Sequence, residues 1–145
     1  MASTMNADRA KRIVRESVRR MLSEATQPVG YRPDWLVSSD GSTSVFLTFS
    51  KSENLFYDVG EKDLVEWSGF RRACIVFLLG SDEKALVIPA KELRLKLAQA
   101  DYLPSEEYGD YKLHIRARKS GFFFRELPDW SLTGYLNNFS PLLGP

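Results

Sequence analysis

The segment Ala73–Leu79, ACIVFLL, constrains the fold more than any other part of the chain. Seven successive apolar residues leave no polar face, so a strand built from them must be covered on both sides and lie inside a sheet. The run is far short of the roughly 20 residues a membrane helix needs. A partner strand follows at once: Ser81-Asp82-Glu83-Lys84 forms a turn, Ala85–Ile88 is apolar again, and Pro89 ends it for want of an N–H. The remaining chain must supply two apolar layers. With 145 residues, 43% of them hydrophobic, it can do so as a single domain without disulfides. Cys74, the one cysteine, sits inside the apolar run and reads as a buried thiol. One cysteine and one histidine exclude a zinc cage. A chain without disulfides and without an apolar signal core suits a reducing, cytoplasmic compartment, and no partner membrane is expected.

Upstream, residues 1–6 are expected to be frayed, and Asp8–Glu24 has helical spacing in Ala10, Ile13, Val14, Val18, Met21 and Leu22. Its other face holds Arg9, Lys11, Arg12, Arg15, Arg19 and Arg20. Arg12, Arg15 and Arg19 are candidate nucleic-acid contacts, although a solvated face with Glu16 pairing to Arg12 or Arg20 also fits. Gln27–Gly30 breaks the helix. In the stretch Pro33–Glu53, an apolar run Trp35–Val37 and a β-branched and aromatic run Val45–Lys51 flank an Asp40-Gly41 pair, the signature of a hairpin. Leu55–Val59 reads as a short strand or an extension of that hairpin, and Glu61–Trp67 as a short helix. Ala90–Ala100 is a helix with Leu93, Leu97 and Ala100 on one side, and Leu103–Asp110 is a polar loop. Asp129–Phe139, after Pro128, reads as a terminal helix. The predicted class is α+β, a mixed central β-sheet flanked by helices.

Between the loop and that helix, Tyr111–Lys119 alternates cleanly, with Leu113, Ile115 and Ala117 on one face and Lys112, His114, Arg116 and Arg118 on the other. Net charge is only +1, so attraction to a polyanion must come from local rows such as this one. At roughly 3.3 Å per residue the four side chains span about 20 Å, the reach of several phosphates. The same row also suits a charged edge strand that resists pairing. Phe122, Phe123 and Phe124 cannot all face inward from one strand. Trp130, Tyr135 and Phe139 can cover them, or they can present a stacking platform for bases or a protein partner, including a second copy.

The Pro33-Asp34 pair, the run VFLTFSKS at Val45–Ser52 and the later helix-strand-turn-strand pattern through Ile88-Pro89 resemble the PD-(D/E)XK nuclease superfamily over roughly residues 8–100. The resemblance implies a restriction-endonuclease-like core, with Asp34 opening one strand and Lys51 ending the next. In such a site Mg²⁺ is held by carboxylates while the lysine assists the attacking water. The position two before Lys51 carries an acid in the family and is Phe49 here. A displaced carboxylate, Glu53 or Asp58, is the candidate replacement. Asp34, Lys51 and Glu53 are therefore the candidate catalytic residues, and Asp34, Glu53 and Asp58 the candidate Mg²⁺ ligands if the site is active. The resemblance implies a nucleic-acid-binding protein, DNA first, with a catalytically degenerate nuclease-like scaffold accessory to DNA processing or defence. The alternatives are an active Mg²⁺-dependent nuclease and a protein-interaction module of a toxin-antitoxin or phage-defence system.

Overall fold

The structure, a computed structural model, describes residue 16 and residues 26–29, 32–38, 40–50, 55–79 and 84–143. In chain order the elements are β1 (Thr26–Val29), β2 (Arg32–Ser38), β3 (Thr43–Phe49), β4 (Phe56–Gly60), α1 (Glu61–Trp67), β5 (Arg72–Leu78) and β6 (Ala85–Pro89). They continue with α2 (Ala90–Gln99), β7 (Asp110–Arg118), β8 (Gly121–Phe124), β9 (Leu127–Ser131), a 3₁₀ turn (Thr133–Tyr135) and α3 (Ser140–Leu143). The strands form two sheets, ordered β1-β2-β3-β5-β6 and β4-β7-β8-β9. The first is mixed: β3 and β5 run parallel, and its other pairs are antiparallel. Parallel neighbours need a crossover, which β4 and α1 supply.

β5 is the doubly covered strand its composition demands. Ile75 and Phe77 belong to a core shared by both sheets, α1 and α2, with Tyr57, Leu64, Trp67, Leu93, Leu113 and Phe124. Cys74, Val76 and Leu78 belong to a second cluster on the opposite face, with Val45, Leu47, Val87 and Leu142. The β2–β3 turn closes as its Asp-Gly pair requires: the Gly41 N–H donates to the Ser38 carbonyl (2.9 Å) with Gly41 at φ 73°. Asp40 Oδ1 accepts from the Ser38 hydroxyl (2.7 Å), the Ser42 N–H (2.9 Å) and the Ser42 hydroxyl (2.7 Å).

Several expectations are corrected. One central sheet was expected and two are found. Phe56–Gly60 leaves the first hairpin and pairs with β7, because Tyr57↔Leu113 and Val59↔Tyr111 put apolar residues on one face of that pair. Thr26–Val29 is not merely a break but an edge strand on β2, a position that tolerates Pro28. β7 lies between β4 and β8, so its cationic row is not an edge device. Ala117 keeps the alternation but runs past the core and is exposed. Asp129–Phe139 is not a helix. Thr133 and Gly134 are poor helix formers, and the backbone finds partners elsewhere: Leu132 N–H donates to Phe122 and Asn137 N–H to Ala85, both at 2.8 Å. Asn137 sits at φ 52° and its Oδ1 accepts from the Ala85 N–H at 2.9 Å, fixing the C-terminal segment to β6. The predicted helix Asp8–Glu24 lies outside the described residues except for Glu16, which is helical and exposed. No described helix is long and apolar enough to cross a membrane.

Candidate nucleic-acid interface

β2, β3 and β4 line a recess of about 270 Å³ walled by Asp34, Phe46, Leu47, Thr48, Phe49, Phe56 and Asp58. Asp34 comes from β2, Phe46–Phe49 from β3, and Phe56 and Asp58 from β4. The end of β3 is tied to the start of β4 by Ser50, whose hydroxyl accepts from the Phe56 N–H at 2.9 Å. The chain enters β4 through Leu55 at φ 50°, the left-handed region that a leucine rarely adopts. Phe46 is held by a stacked contact with Trp67, ring centroids 4.2 Å apart, which in turn meets Trp35 edge-on at 6.4 Å. The recess thus brings together Asp34, Asp58 and Phe49. Lys51 and Glu53 lie outside the described residues, as do Arg12, Arg15 and Arg19.

Among the described residues, the recess offers two carboxylates, those of Asp34 and Asp58. Mg²⁺ demands near-octahedral oxygen coordination. A phenyl ring stands at position 49, Asp58 is engaged by Lys112 at 3.1 Å, and among the described residues no three His, Cys, Asp or Glu side chains group to hold a metal.

The cationic row on β7 divides into two halves. Lys112 Nζ pairs with Asp58 (3.1 Å) and Asp110 (3.4 Å) and lies over the Phe56 ring at 5.7 Å. The Asp58 hydrogen bond, more than that of Asp110, raises the ammonium pKa. The Asp110 carboxyl is lowered, first by the Ser105 hydroxyl. Both Glu126 oxygens serve His114: Oε1 accepts its backbone N–H and Oε2 contacts Nδ1, each at 2.7 Å. The His114 ring stacks on Phe56 at 4.7 Å. Farther along, Arg116 Nη1 donates to the Ile115 carbonyl at 3.0 Å. The Arg118 guanidinium lies over Phe123 at 3.7 Å and donates to the Pro128 carbonyl at 2.7 Å. The half next to the recess is therefore offset by Asp58, Asp110 and Glu126. At the far end Arg118, bonded to a carbonyl, keeps its charge next to exposed Lys119.

Of the three phenylalanines of β8, Phe124 is buried against Phe77 (5.4 Å) and Trp130 (6.0 Å), while Phe123 carries Arg118. Trp130 therefore covers Phe124 as expected and packs edge-on to Tyr135 at 5.7 Å, whereas Phe139 packs against the other cluster. Sequence reasoning passed over Glu126, Asp110 and Phe56. The two acids lie in or beside turns, without periodicity, and Phe56 and Asp58 meet the β7 row only through the β4–β7 register. Comparison with protein-family models, with characterised proteins and with solved structures gives no match.

Proposed function

We propose that this chain is a nucleic-acid-binding protein on a PD-(D/E)XK nuclease-like scaffold whose metal-binding position has been replaced, accessory to DNA processing or defence. The observation that carries the reading is that Asp34 and Phe49 line one recess. These are the positions where the resemblance calls for the first acid and the second, and the second is a phenyl ring. Support comes from the elements around them: a hairpin bearing Asp34, a short helix ending in Trp67, an apolar strand, and a partner strand that closes on Ile88-Pro89. Backbone contacts fall to Arg118 and Lys119, with Phe123 beside them as an aromatic surface, and to Arg12, Arg15 and Arg19.

The test is gel retardation of labelled duplex and single-stranded DNA and RNA at about 50 mM salt, with and without Mg²⁺. Retardation without cleavage is expected. No retardation of any of them overturns the reading. Mg²⁺-dependent cleavage that disappears in Asp34→Ala would instead make the chain an active nuclease with a displaced ligand.

A further inference from the structure

We infer that a small recess where β5 begins and β6 passes into α2 binds one phosphate dianion, held by Arg71, Arg72 and Lys91. The recess encloses about 130 Å³ and is lined by these three cations, with Pro89 and Pro141 among its other walls. Among the described residues none of its walls is acidic. The volume is well below the roughly 300 Å³ at which small-molecule pockets begin, so it suits a single tetrahedral oxyanion rather than a base or a sugar ring. It shares no wall with the recess of Asp34 and Asp58 or with the cationic row of β7, so it stands apart from the nucleic-acid reading of those surfaces.

The β5–β6 register brings the cations together. Cys74 pairs with Pro89, and the chain runs from Pro89 directly into α2, so Arg72 and Lys91 flank the same end of the ladder. Arg72 is anchored there: its N–H donates to the Ser42 carbonyl at 3.0 Å, and its charge reaches Asp40. Arg71 and Lys91 are exposed, and neither makes a hydrogen bond, ion pair or ring contact. Lys112 and Arg125, by contrast, are paired with carboxylates. One acid acts close by, since Glu92 helps to raise the Cys74 thiol in the recess wall. Its carboxylate does not line the recess and accepts from the Tyr135 hydroxyl. Like charges gathered around one recess repel each other, and a shared dianion relieves that repulsion. Guanidinium forks and an ammonium are also the donors that phosphate oxygens take best. Pro89 and Pro141 have fixed φ, so these walls need little ordering when the anion enters.

Isothermal titration calorimetry with inorganic phosphate, in phosphate-free buffer at constant ionic strength, tests the assignment. Saturable binding is expected, with a melting temperature that climbs as phosphate is added. Arg71→Gln/Lys91→Gln should weaken the binding at least about tenfold. Both side chains are exposed and unbonded, so this variant should melt like the wild type when phosphate is absent. Lys91→Arg keeps the charge and should bind like the wild type. The source of the phosphate is read by fluorescence anisotropy with labelled oligonucleotides of about 12 nucleotides, bearing either a 5′-phosphate or a 5′-hydroxyl. A preference for the phosphorylated end that the double variant loses assigns the recess to a nucleic-acid terminus. Equal affinities, with inorganic phosphate still bound, assign it to free phosphate or a small phosphorylated compound. Absence of both phosphate binding and an end preference overturns the inference and leaves nucleic-acid binding on the β7 face standing. Phosphate binding that the double variant retains in full places the anion elsewhere and also overturns it.

Discussion

Phe49 is a single side chain with two consequences. It removes an oxygen ligand from the place where the resemblance puts one, and it packs an apolar side chain against the second core cluster. Two other residues yield tests of local structure. Asp40 is held at a pKa of about 2, first by the Ser38 hydroxyl and then by the Ser42 backbone and hydroxyl. Because its folded pKa is depressed, the stability it adds is complete above its ordinary pKa of 3.8 and is lost as pH falls toward 2. Asp40→Asn should therefore lower the melting temperature at neutral pH and flatten its dependence on pH across that window, as read by thermal scans at successive pH values. Cys74 has its thiol pushed up to about 12, first by burial and then by Glu92. Iodoacetamide at about pH 8 should leave it unmodified in the native protein and alkylate it in denaturant, as mass spectrometry would detect.

At the scale of elements, β5 is the test of the layered core. Phe77→Ala and Leu78→Ala cut into opposite faces of the same strand, and both side chains are fully buried. Each should cost roughly 2–5 kcal/mol in urea denaturation. A cost confined to one face would mean that the other is not covered. The β7–β8 turn depends on Gly121, at φ 125°, where a Cβ would come within 1.7 Å of Thr133 Oγ1. Gly121→Ala should destabilise by at least about 1–3 kcal/mol. Gly41 has open space around it and should be penalised only for its backbone conformation.

These elements also mark what the sequence made legible. ACIVFLL has no polar face, so its central place follows from hydrophobicity alone, and Asp40-Gly41 encodes its own turn. The second sheet was less legible because its register is not local: Tyr57 and Leu113 are 56 positions apart and meet only through β4–β7 pairing. The C-terminal segment misled for a related reason. Its apolar spacing from Trp130 to Phe139 fits a helix, but Leu132, Leu136 and Asn137 bond across to β8 and β6. Asp34 and Asp58 were both legible as acids on strands, yet their shared recess depends on how the end of β3 is tied to the start of β4. The pairing of His114 with Glu126 was hidden because Glu126 sits in a turn.

On the scale of the whole molecule, the two sheets and two of the helices share one core, and one face of the second sheet alternates rings with cations. Charge on that face is uneven. It is offset near the recess by Asp58, Asp110 and Glu126 and is concentrated at Arg118 and Lys119. On the proposed nucleic-acid reading, a strand laid across this face would meet its phosphate contacts at the Arg118 and Lys119 end. Such binding must weaken as counterions compete, and the most direct test is the affinity for labelled single-stranded DNA across a salt series. With about four phosphates neutralised, affinity for the single strand should fall roughly fiftyfold between about 50 and 200 mM salt. The double charge reversal Arg118→Glu/Lys119→Glu should weaken binding at low salt and flatten that slope. Undetectable affinity at about 50 mM, or an affinity indifferent to both salt and charge reversal, would contradict nucleic-acid binding on this face.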